Sequence, residues 1–201
     1  MKRKHEEEPD DKDWITLLKE TKLDTVDDIV EKELLKNQVI VLHGEITEDL
    51  CNRVTKRLMF LHFRGKKDVL IVLNSVGGEI FHGLLIFNTM EDLKKKGMKI
   101  TVEARGLCAS MGVSILMGGT RRVASKYTRF LLHEVTSISY GKVSELKEGV
   151  EELEKLNEML DEIIAQRSKL TLALLSKKTK KREWWLSSEE ALKNGIIDQI
   201  V

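Results

Sequence analysis

From residue 38 onward, short apolar runs alternate with amphipathic stretches. Residues 38–43 (QVIVLH) are mostly apolar and stop at Gly44, which predicts a strand. Thr47, Glu48 and Asp49 open a stretch in which Leu50, Val54, Leu58 and Leu61 recur at near-3.6 spacing, the signature of a helix. Residues 68–74 (DVLIVLN) have a continuous apolar centre, as a strand does when both faces of a parallel sheet are covered. Ser75, Val76, Gly77 and Gly78 break that run, and a helix bearing Leu84, Leu85, Phe87, Met90 and Leu93 follows. Lys94, Lys95, Lys96 and Gly97 close it with the cations and glycine that a helix C-terminus favours. In residues 98–104, Ile100, Val102 and Ala104 alternate with polar neighbours, predicting a third strand, and the apolar run 113–117 predicts the helix after it. Residues 122–124 and 129–132 read as short strands. Strands and helices alternating through short connections define an α/β protein with a mostly parallel sheet.

The pattern changes at Val143. Val143, Leu146, Val150, Leu153, Asn157, Leu160 and Ile164 alternate by three and four, and Leu156, Met159 and Ile163 form a second stripe beside them. This predicts one helix over about 143–170, roughly 40 Å long at 1.5 Å per residue. Two apolar stripes on so long a helix point to a partner subunit's helix, with Asn157 as a register residue. A short apolar stretch, a basic run over 176–182 and Trp184-Trp185 follow. Ser187, Ser188, Glu189 and Glu190 give a closing helix a capping-box start, Gly195 ends it, and residues 196–200 return as a last edge segment.

Composition bounds the class. A hydrophobic content of 41% with 33% charged residues over 201 positions suits one soluble domain with a real core. Residues 1–33 read as a separate segment, a solvated arm followed by helical fragments, and residues 34–201 as a single domain. No apolar run is long enough to span a bilayer, and the N-terminus turns acidic where a secretory signal needs an apolar centre, so a cytoplasmic protein is expected. A net charge of +1 favours neither nucleic acid nor an anionic membrane as partner. Cys51 and Cys108 lie far apart inside patterned elements, and neither has a companion at metal-ligand spacing. No metal and no cofactor are expected.

The candidate chemistry centres on Gly106-Leu107-Cys108-Ala109-Ser110-Met111-Gly112, a small-residue turn between a strand and a helix. There Ser110 either caps the helix or is presented as a nucleophile at its N-terminus. A nucleophilic serine needs a base. Of five histidines only His133 ends a strand-like run that follows the Ser110 helix, at the carboxyl edge where catalytic groups of open α/β sheets gather. Gly77-Gly78, directly after another strand, leaves amides unblocked for an oxyanion (Gly78 N–H, with Met111 N–H) or for a phosphate; with no Walker or dinucleotide fingerprint the phosphate reading is poor.

Taken together, these residues resemble the proteolytic subunit family of the Clp protease over about residues 34–201. The resemblance is carried by VIVLHGEI, LNSVGG, FNTMEDL, ARGLCASMG, LLHE and WLSSEEALKNGIID. It implies the ClpP/crotonase-like fold, repeated β-β-α units with a long protruding handle helix over about 143–170. It also implies an ATP-dependent Clp-type serine endopeptidase, with Ser110 as nucleophile, His133 as general base, and the Gly78 and Met111 amides as oxyanion hole. By analogy the subunits self-associate into heptameric rings stacked as a tetradecamer. A separate AAA+ unfoldase such as ClpX or ClpA would feed them unfolded protein, and no nucleic acid or membrane is involved.

The sequence departs from that pattern in three places. Val76 and Val135 stand where the pattern has proline, and Glu134 where it has glutamine. Residues 1–33 do not match. Most seriously, the triad aspartate should fall within 176–182, which here reads Ser-Lys-Lys-Thr-Lys-Lys-Arg. The third triad member is thus unknown, with Glu183 and Glu134 as weak candidates. Two further readings stay open: a catalytically weak or inactive ring subunit, and a crotonase-type acyl-CoA enzyme. The single proline and lysine-rich character would suit a divergent, phage-encoded member.

Overall fold

The computed structural model describes residues 26–201. The arm and the helical fragment that the sequence suggests for residues 1–25 lie outside the described residues. The chain divides into two units between Asn37 and Gln38. In the first, helix α1 (Val26–Lys36) places Asp27 and Asp28 in its first turn and Lys36 in its last, matching the helix dipole at both ends. The Asn37 side-chain amide closes it by donating to Glu33 O at 2.7 Å.

The second unit is a seven-stranded, mostly parallel sheet with helices between the strands, the α/β architecture that the alternating pattern predicts. Its elements are β1 (Val39–Ile46), α2 (Glu48–Phe63), β2 (Asp68–Gly78), α3 (Ile80–Lys95), β3 (Lys99–Ala109), α4 (Met111–Met117), β4 (Arg121–Ala124) and β5 (Arg129–Leu132). The long helix α5 (Val143–Ala165), α6 (Leu172–Thr179), β6 (Trp184–Leu186), α7 (Ser188–Lys193) and β7 (Gln199–Ile200) complete it. Strand order is β1-β2-β3-β4-β7, with β5 also on β3 and β6 antiparallel to β5.

Three strands run longer than the sequence suggests. β1 continues past Gly44, which adopts φ +92° in a bulge, and pairs Glu45 with Gly77 and Ile46 with Gly78. β2 likewise continues through Ser75, Val76, Gly77 and Gly78, and β3 runs to Ala109. The registers of all three shift at one level, between His43 and Glu45, between Leu73 and Ser75, and between Ala104 and Cys108. Above that level the carboxyl ends continue the same sheet in a shifted register. β3 forks there: residues 101–104 pair with β4 and residues 107–109 with β5. Asn74 Oδ1 stabilises the fork by accepting from Leu107 N–H at 3.1 Å.

The core lies on the helix-bearing faces of this sheet. Ile40, Leu42, Ile71, Leu73, Ile100 and Val102 are buried in the strands, and α4 is buried along its whole length, which fixes the start of α4 rigidly. In α3 the buried face is Gly83, Ile86, Met90 and Leu93, while Leu85 is exposed, so the apolar positions there exceed what the core takes up. Arg122, itself buried, ties the end of the chain to β4 through the Asp198 carboxylate and reaches Arg167 O beyond the long helix. Helix α5 ends at Ala165, five residues short of the sequence estimate. Arg167, just past it, turns to Gly119 O at 2.7 Å and Glu91 at 3.1 Å. Among the described residues no helix is long and apolar enough to cross a membrane.

Candidate active site

Ser110 alone separates β3 from α4. Its φ of 54° and ψ of −126° place a residue with a Cβ in a left-handed backbone conformation, which costs about 1–3 kcal/mol and persists only where the surroundings enforce it. Two contacts enforce it here. The Ser110 N–H donates to Leu131 O of β5 at 2.8 Å. On the other side Gly77 packs so closely that a Cβ at that position would lie 2.6 Å from Ser110 Cβ. Gly77 is held in turn, its N–H donating to Ser75 Oγ at 3.0 Å while that hydroxyl donates to Gly44 O at 2.6 Å. The Ser110 hydroxyl accepts none of the α4 amides, so it does not serve as a helix cap. A strained strand-to-helix turn of this kind is how a serine hydroxyl is presented at the carboxyl edge of an α/β sheet.

His133 arrives at the same edge through register. Ala109 lies opposite Leu131, the Ser110 amide is bonded to the Leu131 carbonyl, and His133 leaves β5 two residues later. One cleft accordingly collects Gly78, Ser110, Met111, His133 and Glu134. Glu183 is not in its lining, and its carboxylate accepts from Trp185 Nε1 at 2.8 Å. Glu134 lines the cleft, but Oε2 accepts from the Lys181 N–H at 2.6 Å. Among the described residues no carboxylate is hydrogen-bonded to the His133 ring. From the basic stretch 176–182 it is Thr179 that reaches the cleft, buried and with its Oγ1 donating back to Leu175 O at 2.9 Å. Cys108, the thiol nearest Ser110 in sequence, is fully buried, and burial alone pushes it far above the ordinary thiol range, which makes it a poor nucleophile.

The remaining wall comes from α5, whose Asn157, Leu160, Asp161 and Ile164 share one face. Asn157 Oδ1 accepts from the Val135 N–H at 3.0 Å, and its Nδ2 lies 3.4 Å from Asp161 Oδ2. The sequence suggested Asn157 as a register residue toward another subunit's helix; its amide is engaged within the chain instead. The bond has a specific origin. A proline at 135 would have no N–H to give, so the valine there frees a donor and Asn157 accepts it. The segment after His133, which has no regular structure of its own, is thereby clamped to the long helix. Burial, reinforced by the Glu134 charge, pushes the neighbouring Asp161 carboxyl up to about 6. Asn157→Leu, close in size but without the acceptor, should speed hydrogen exchange at the Val135 amide about tenfold, the effect of one lost buried hydrogen bond. Unchanged exchange at Val135 would show that the clamp is not what orders this loop.

Sequence reasoning passed over Asn157, Asp161 and Thr179 as cleft residues. The signal for the first two was present: two short polar side chains, four residues apart, interrupt the inward stripe of an otherwise apolar helix face.

A mostly parallel α/β sheet with a serine on a strained strand-to-helix turn at its carboxyl edge is the class that fold and cleft define. Within that class the chain belongs to the Clp protease family, whose model matches residues 21–201. It is 30% identical over 175 residues to the ATP-dependent Clp protease proteolytic subunit 2 of Synechococcus sp. (strain CC9605), covering 86% of this chain and 87% of that one. Proteolytic subunit 1 of Prochlorococcus marinus subsp. pastoris is 31% identical over 175 residues with the same coverage, and subunit 2 of Parasynechococcus marenigrum is 30% identical.

Proposed function

We propose that the protein is a Clp-type serine endopeptidase subunit that hydrolyses peptide bonds of unfolded polypeptides inside an oligomeric chamber. The observation that carries this reading is the Ser110 turn: left-handed, uncapped, and tied by its amide to the strand that delivers His133. Ser110 Oγ attacks the scissile carbonyl carbon while His133 accepts its proton, and the amides of Gly78 and Met111 stabilise the oxyanion. His133 then protonates the leaving amine, and water repeats the sequence on the acyl-enzyme. An extended substrate alongside Gly77-Gly78 would present each peptide bond to the serine in turn. Hydrolysis of an unstructured polypeptide such as casein at neutral pH tests the reading. Products with new amino termini support it, and an intact substrate after prolonged incubation with the assembled protein rejects it.

Assembly follows from α5. Its first turns carry Val143 and Val150, 70% and 55% exposed, with the partly exposed Leu146 between them, an apolar stripe left largely uncovered among the described residues. Stripes of this kind on two copies would bury each other, interlocking subunits in stacked rings, and an AAA+ unfoldase of the ClpX or ClpA kind would deliver substrate. Leu146→Asp should reduce the native mass from a ring assembly to monomer or small oligomers; a monomeric wild type at micromolar concentration would contradict the proposal. A second reading, a weakly active or inactive ring subunit, is favoured by one observation, the absence of a carboxylate on His133 among the described residues.

A further inference from the structure

The cleft beside Ser110 is walled by aliphatic side chains, among them Ile80, Leu132, Val135, Leu160 and Ile164, and it contains two carboxylates, Asp161 and Glu134. Among the described residues no lysine or arginine side chain is in its lining. The Glu134 carboxylate takes a backbone amide, that of Lys181. Among the described residues Asp161 has only the Asn157 Nδ2 at 3.4 Å, the outer limit of a hydrogen bond. The polar side chains that share the cleft with Asp161 among the described residues are Ser110, Ser114 from α4, His133, Glu134 and Thr136 from the loop after β5, Thr179 from α6 and Asn157 from its own helix, none a permanent cation. A half-buried carboxylate without a counter-charge is expensive to ionise. Burial and the Glu134 charge hold its pKa near 6, so at neutral pH Asp161 is mostly ionised and short of a cation.

We infer that Asp161 selects a basic substrate residue: the lysine or arginine side chain next to the scissile bond occupies this cleft, its methylene stem on the aliphatic walls and its charged head at the Asp161 carboxylate. The chemistry of the two sides matches, since such side chains join an apolar stem to a cationic tip. A purely apolar side chain in the same place would leave the carboxylate charged against methyl groups, or force a proton onto it. A cation supplies the missing counter-charge and a charge-assisted hydrogen bond. The inference rests on Ser110 being the nucleophile, because that reading places the scissile bond beside the cleft.

The test uses the assembled full-length protein and matched fluorogenic tripeptide amides that differ only in the residue before the cleaved bond, lysine in one and norleucine in the other. Their ratio of kcat/KM is the informative quantity, because any effect on the chemical step common to both substrates cancels. At pH 8 the ratio should favour lysine by about tenfold, the effect of one charge-assisted hydrogen bond. It should decline toward unity as pH falls through about 6 and Asp161 takes up its proton. In Asp161→Asn, an isosteric change, the ratio should lose both its size and its pH dependence. A wild-type ratio at or below unity at pH 8 overturns the inference. So does a ratio unmoved by Asp161→Asn, the signature of a group that acts on His133 or on the fold. If that variant does not fold, the wild-type ratio against pH decides alone. Hydrolysis of both peptides with a flat ratio removes this inference only, whereas hydrolysis of neither removes the peptidase reading and this one with it.

Discussion

Replacing Ser110 with alanine is expected to lower kcat for peptide hydrolysis by about 10²-fold, far less than the roughly 10⁶-fold that the same loss costs a serine protease with a complete triad. The difference follows from non-additivity. In a complete triad, removing the carboxylate alone costs about 3 × 10⁴ and removing the serine about 2 × 10⁶, so an enzyme already without the carboxylate retains a serine-dependent factor of only roughly 10². Here Glu134 is bonded to Lys181 N–H, Glu183 to Trp185, and the one residue of the basic stretch 176–182 in the cleft lining, among the described residues, is Thr179. The size of the drop therefore reports on His133. A fall near 10⁶ would reveal a group that orients the imidazole in the assembled protein, and no fall at all would remove Ser110 from the chemistry.

Gly77→Ala should be nearly as damaging to activity and more so to stability. A Cβ at that position would meet Ser110 Cβ at 2.6 Å, Ala109 O at 3.0 Å and Ser110 Oγ at 3.1 Å, all parts of the turn itself. At φ +96° the backbone is also one that alanine adopts only under strain. Either the end of β2 or the Ser110 turn must move, at a cost of about 1–3 kcal/mol with hydrolysis falling to the Ser110→Ala level. Gly97→Ala is the control. Gly97 has φ +90° with nothing within 4 Å of the added carbon, so it carries the backbone strain without the contact. Thermal unfolding and peptide hydrolysis measured on both variants should show both destabilised and only Gly77→Ala inactive. Equal activity in the two would show that the contact with Ser110 is irrelevant.

The parallel architecture was legible because its signals are local. The apolar centre of residues 68–74, the amphipathic spacing of Leu50, Val54, Leu58 and Leu61, and the Ser187–Glu190 capping box each describe their own element, and the structure contains all three. What escaped sequence reasoning depends on neighbours. Gly44, Ser75 and Gly106 read as strand stops, but aligned bulges carry all three strands past them, and that second level holds Ser110 and Gly77. Trp184-Trp185 gave no strand signal because β6 exists only as an antiparallel addition to β5. The heptad on α5 looked like one seam facing another subunit. In fact Leu156 and Ile164 are buried within the chain and Asn157 and Asp161 line its cleft, while Val143, Val150 and Met159 stay exposed. A helix with two jobs has a periodicity that fits either one, and the sequence does not divide it. The cleft itself was half legible: Ser110 and His133 carry reactive types at telling places and Asn157 and Asp161 break an apolar helix face, whereas Thr179 joins the cleft only through tertiary packing.

The central claim is that Ser110 is a nucleophile activated by its turn, and covalent trapping addresses it most directly. A fluorophosphonate reacts by forming a bond from serine Oγ to phosphorus with loss of fluoride, and the adduct is read by intact mass and mapped to a peptide. One adduct per chain on the assembled protein, located at Ser110 and absent from Ser110→Ala, is the predicted result. No adduct on the assembled wild type, or an equal adduct on Ser110→Ala, would contradict it.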